Sequence, residues 1–165
     1  MPPYTRTTLT KATTSLLDAF SSASDPQTLL STFTTNPPPK AHEHGLQQLA
    51  PFLGRTFTGR SEVEKYFGLL SEHLKIEGMR FDDEKEWAVD VETGVVWLRG
   101  YARFVSTKTG QGWDETFAYR IGLVEDQSQD QDAARQVKVR SYEVWADTGA
   151  AYLAARGELD SVASA

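Results

Sequence analysis

Cysteine is absent from this 165-residue chain, which rules out disulfide bridges and thiolate chemistry. No run of about 18 apolar residues is present that could span a bilayer, so the sequence reads as a soluble, cytoplasmic protein with no membrane partner. Positive charge is scarce as well. Lys and Arg number 17 against 23 Asp and Glu, a formal net charge of -6, and the basic residues are scattered along the chain. A surface that tracks phosphates needs cations gathered on one face, so this pattern argues against nucleic acid as a partner. There is no phosphate-cradling glycine loop, no dinucleotide fingerprint and no Gly-x-Ser-x-Gly elbow, which agrees with chemistry that uses no cofactor. A chain of 165 residues with 39% hydrophobic content fills one core, not two, so residues 1–165 are expected to form a single domain.

What is present punctuates the chain clearly. Residues 1–24 are rich in Ser and Thr and faintly like an organellar transit peptide. Leu9, Ala12, Leu16 and Phe20 nevertheless recur at helical spacing and make the stretch a first domain helix. Asp25-Pro26 reads as the N-cap and first position of a short second helix carrying Leu29, Leu30 and Phe33, ended by the proline run 37–39. A brief strand follows from Ala41 to His44. In 59–74, Ser61 and Glu64 have capping-box spacing, and Val63, Tyr66, Phe67, Leu70 and Leu74 share one face, predicting a third helix. From Met79 the period changes to two. Strands are expected near 80–91, 95–106, 113–124 and 136–145, with a polar, solvated loop at 125–136 and a last short helix at 150–157 capped by Asp147-Thr148. Helices first and strands later indicate an α+β class, in which the sheet buries one face beneath the helices.

This order, together with FTGRSEVEKYF (57–67) and the ending VKVRSYEVWADTGAAYL (137–153), resembles the nuclear transport factor two-like superfamily in its SnoaL-like branch. That branch comprises small polyketide cyclases, isomerases and dehydratases. The resemblance implies a cone-shaped α+β barrel, with a strongly bent, mostly antiparallel sheet wrapped around three N-terminal helices and one deep pocket. It also implies a homodimer joined through the outer sheet face, where Trp97, Tyr101 and Tyr142 are expected. The matching motifs are not catalytic and the superfamily hosts enzymes and binding modules alike, so fold is implied more strongly than function.

Alternation sorts the strands into faces. Val96, Leu98, Gly100, Ala102 and Phe104 form one face of the second long strand. Trp113, Glu115, Phe117, Tyr119, Ile121 and Leu123 share a face of the third, and Val137, Val139, Ser141, Glu143 and Trp145 a face of the fourth. Glu115 and Glu143 thus fall on the apolar side, where an ionised carboxylate costs several kcal/mol unless paired or functional. A one-residue bulge would turn either of them outward.

The stretch 38–45 holds two of the three histidines, His42 and His44, and admits three readings. A His-x-His pair on one strand face can chelate a metal, but a third ligand is lacking, because His73 lies in the predicted third helix; no metal is expected. It is equally an ordinary strand end, with one ring exposed and the other partly buried. The resemblance supplies the third reading. In ketosteroid isomerase the general base stands on the short strand before the third helix, and strand-to-strand alignment brings His44 nearest that place. The expectation that follows is a cofactor-independent isomerase, cyclase or dehydratase acting on a small hydrophobic oxygenated metabolite. His44 would serve as base, Glu115 or Glu143 as acid, and Tyr119 would position an oxygen. His42, Trp113, Phe117, Trp145, Phe67 and Leu98 would bind the substrate. The alternative is a non-catalytic module that holds an apolar ligand or a partner in the same cone.

Overall fold

The computed structural model describes residues 3–22, 25–127 and 135–164; most of the polar loop expected at 125–136 lies outside the described residues. Helix α1 (Arg6–Ser21) begins where the Thr5 side chain accepts the Thr8 amide, and buries Leu9 and Leu16 on the face that the spacing marked. Helix α2 (Pro26–Ser31) has Asp25 as its cap, accepting from the Gln27 and Thr28 amides. Strands β1 (Lys40–His44) and β2 (Thr56–Thr58) pair antiparallel. Helix α3 spans Arg60–His73 and runs directly into β3 (Leu74–Phe81). A turn of 3-10 helix at Glu84–Glu86 and the short β4 (Ala88–Asp90) lead into β5 (Val95–Ser106), β6 (Gly112–Glu125) and β7 (Val137–Trp145). Helices α4 (Thr148–Arg156) and α5 (Leu159–Ala163) close the chain.

The strands form one seven-stranded, unclosed sheet in the order β2-β1-β7-β6-β5-β3, with β4 added beside β5. All pairings are antiparallel except β1 with β7. The inner face meets α1 and α3 around Phe33, Phe52, Phe57, Tyr66 and Ile121, all fully buried, each contributing about 1.5–3 kcal/mol through the apolar area it withdraws from water. This is the expected α+β cone.

Three local expectations give way, and one short strand is added. Ser61 caps nothing; the helix starts at Arg60 behind Gly59, whose φ of 95° puts it in the region that favours glycine. The first long strand is not 80–91. It begins at Leu74 and is interrupted by a register shift between Glu77 and Arg80, beside Gly78 at φ 61°. Strand β2 was not legible, being only three residues long. The last correction matters most for function. Between β6 and β7 the register jumps, Gly122 facing Ser141 while Leu123 faces Val139, so one extra residue, Arg140, is accommodated on β7. Past this bulge the alternation inverts: Tyr142 and Val144 are buried, and Glu143 and Trp145 turn to the outer face. Trp145 is therefore no core residue, and Tyr142 is no surface residue.

Candidate active site in the cone

Two adjoining lobes open inside the sheet. The smaller, a narrow space of about 50 Å³, lies between β1, α3, β6, β7 and the start of α4, and is lined by Glu43, Tyr66, Trp113, Glu115, Phe117 and Asp147 among others. The larger, of about 570 Å³ and open to solvent, lies between the end of α1, α2, α3 and β3. Leu70, Leu74, Ile76, Met79, Tyr119 and Tyr142 belong to both walls.

Glu43 stands at the deep end. Strand β1 alternates with Ala41 and Glu43 inward, and the Glu43 side chain is almost wholly enclosed, the residue being 6% exposed. The Tyr66 hydroxyl donates to Glu43 Oε2 at 2.7 Å. Burial pushes the Glu43 carboxyl up to about 7; the Tyr66 hydrogen bond pulls against this, and the charge of Glu115 adds to it. Burial likewise raises the phenols of Tyr66, Tyr119 and Tyr142, so all three are neutral donors near pH 7. The Tyr119 and Tyr142 rings meet edge-on at 4.9 Å, and both residues border the two lobes, where a phenol can donate to a ligand oxygen.

Glu115 occupies the other end of the smaller lobe. It accepts from Trp113 Nε1 and, through Oε1, from the Asp147 backbone N–H at 2.7 Å. Burial raises its pKa, and the two hydrogen bonds hold the rise in check. Two carboxyls in unlike surroundings, both shifted upward, are thus set around one apolar space with phenolic donors between them, an arrangement able to move a proton and to stabilise a developing oxyanion.

Of the residues singled out from the sequence, Glu115, Tyr119, Trp113 and Phe117 line the smaller lobe and Phe67 the larger. Leu98 is buried in the core but lines neither. The two histidines, Glu143 and Trp145 are placed elsewhere. On β1 the even-numbered residues face outward, and the parallel register sets His42 beside Glu143 and His44 beside Trp145. His44 Nε2 lies 3.1 Å from Glu143 Oε2, Arg120 Nη1 donates to Glu143 Oε1 at 2.8 Å, and the His44 ring stacks on Trp145 at 4.1 Å. His42 Nδ1 meets Thr56 Oγ1 at 3.0 Å; burial, then the neighbouring His44, lowers its pKa. His73 lies at the end of α3, bonded to the Leu69 carbonyl.

His44, expected as the general base, thus faces away from the cavity, and the carboxyl that this strand turns inward is Glu43, one residue earlier on the opposite face. The signal was in the strand itself. Ala41 is the one small apolar residue of that stretch, and Glu43 shares its face.

No protein-family model matches the sequence, and no curated protein matches it. Solved structures do match. An NTF2-like protein from Burkholderia xenovorans is 18% identical with a TM-score of 0.64, over 90% of this chain and 96% of the other. A ketosteroid isomerase-like protein from Erwinia carotovora is 13% identical with a TM-score of 0.57, over 86% and 95%. The BvnE pinacolase from Penicillium brevicompactum is 13% identical with a TM-score of 0.60, over 97% and 99%. With nearly the whole of each chain superposing at such low identity, this protein has the nuclear transport factor two-like fold.

Proposed function

We propose that the protein is a cofactor-independent isomerase, cyclase or dehydratase acting by acid–base catalysis on a small hydrophobic oxygenated metabolite. The observation that carries this reading is Glu43, a carboxyl enclosed in an apolar cavity, hydrogen-bonded to a neutral phenol and titrating at about 7. A group poised near ambient pH can both take and return a proton, which enolisation and double-bond migration each require. In this reading Glu43 removes the proton from carbon, a phenol of Tyr119 or Tyr142 donates to the oxygen that gains negative charge, and Glu115 serves as the second acid. Fold-mates described as an isomerase-like protein and a pinacolase add support by analogy only.

The test is hydrogen exchange in D2O at the α-carbon of a β,γ-unsaturated cyclic ketone, followed by NMR. Wild type should promote exchange, and Glu43→Gln should lower the rate by roughly 10² to 10⁴. Equal rates would remove Glu43 from the chemistry. Binding of the ketone without any exchange would favour a non-catalytic binding module.

The same reading includes a homodimer through the outer sheet face. Trp97 and Trp145 are 41% and 37% exposed there and stack on each other at 5.2 Å, with His44 on the far side of Trp145. A continuous aromatic ladder on a sheet surface is costly to leave in water and suits an isologous contact.

A further inference from the structure

Resting on the acid–base reading, we propose that the cone takes an uncharged, elongated amphiphile, its oxygenated head in the smaller lobe beside Glu43 and its apolar body in the larger lobe. Carboxylic acids, phosphate esters and acyl nucleotides are excluded. The argument begins with what lines the space. Glu43, Glu115 and Asp147 border the smaller lobe and Glu64 the larger, while among the described residues neither wall contains a lysine, arginine or histidine. An anion entering this space loses its hydration and finds no cation to pair with, only the neutral phenols of Tyr66, Tyr119 and Tyr142.

Two helix N-termini border the space, α4 at the smaller lobe and α2, which begins at Pro26, at the larger, and each is occupied by a carboxylate, Asp25 accepting from the Gln27 and Thr28 amides at α2. The Asp147 amide donates to Glu115 Oε1 and the Ala150 amide to Asp147 Oδ1 at 3.0 Å, so the amides that would greet an anion are taken by carboxylates of the chain itself. Arg60, at the start of α3, is held by the Leu30 and Phe33 carbonyls, and Arg120 by Glu143 on the outer face. A cationic head is disfavoured because the carboxyls of the smaller lobe already have partners: Glu43 accepts from Tyr66, Glu115 from Trp113 and the Asp147 amide, and Asp147 from the Ala150 amide.

The shape completes the assignment. The larger lobe is walled mainly by apolar side chains such as Phe20, Leu29, Phe67 and Met79, with Tyr119 and Tyr142 where it joins the smaller lobe and Glu64 on α3. Gly68 lies exposed at the rim of this lobe, and a Cβ built on it meets nothing within 4 Å, so a large side chain placed there has room to swing over the mouth of the lobe along α3.

Calorimetric titration with three ten-carbon probes at neutral pH tests the charge rule. 1-Decanol should bind, decanoate should bind at least tenfold more weakly, and decylammonium should bind no tighter than decanol. Decanoate binding as well as decanol, or decylammonium binding tighter, overturns the uncharged head; no detectable decanol binding overturns the proposal altogether. Gly68→Trp tests the placement of the body. It should weaken decanol at least tenfold while cyclopentanone, which needs only the smaller lobe, binds as before. A folded Gly68→Trp variant, judged by circular dichroism, that retains full decanol affinity would place the body elsewhere. The underlying reading fails separately: it falls if Glu43→Gln leaves exchange unchanged, whatever the probes do.

Discussion

Replacing Glu43 with glutamine should stabilise the protein at alkaline pH while it abolishes proton transfer, and the size of the effect follows from burial. The carboxyl rises from an ordinary value of 4.5 to about 7 because its charged form is driven from an apolar site. At about 1.36 kcal/mol per pH unit, that rise amounts to about 3 kcal/mol of preference for the protonated carboxyl in the folded state. The sign is that of a raised acid: the stability is fully present below 4.5, declines as pH rises, and is lost once pH passes about 7. Glutamine is neutral throughout and its Oε1 can still accept from Tyr66. Urea denaturation of both proteins between about pH 4.5 and pH 8.5 should therefore show curves that coincide at the acid end and diverge by about 3 kcal/mol at the alkaline end. All other titrating groups cancel in the difference. Parallel curves across that interval would refute the argument, because they would mean that Glu43 ionises as easily folded as unfolded.

Tyr66→Phe removes the one hydrogen bond that holds the Glu43 pKa down, so the alkaline loss of stability and the lower-pH limb of the exchange rate should both move to higher pH; an unchanged midpoint would show that the bond does not act on the carboxyl. Gly100→Ala places a Cβ 2.2 Å from Phe117 Cε2, forcing a buried ring to shift, and should cost about 1–3 kcal/mol in chemical denaturation. His44→Ala should leave α-carbon exchange within about twofold of wild type, since its ring faces away from the cavity. Sedimentation at micromolar concentration should give twice 18.4 kDa for wild type and 18.4 kDa for the double variant Trp97→Glu/Trp145→Glu; a wild-type monomer would remove the outer face as an interface.

Local pattern settled most of the elements. Leu9 and Leu16 at helical spacing, Asp25 before Pro26, and the period of two along 95–106 each depend on neighbours in the chain, and each emerged where spacing placed it. The inward direction of Glu115, Phe117 and Tyr119 was equally legible, because β6 keeps an unbroken alternation through that stretch. The bulge at Arg140 was not. It arises from the match of β7 to β6 across the sheet, and one unpaired residue there exchanged the faces of Tyr142 and Glu143. The histidines failed for a related reason. A five-residue strand fixes a parity but not which parity faces the helices, and that was decided by the parallel pairing of β1 with β7. From the amino-acid order came an α+β chain with carboxyls and aromatics set on strands; which carboxyl was enclosed, and hence which one titrates near 7, was decided by tertiary packing, because desolvation depends on everything that surrounds a group and not on its neighbours in sequence.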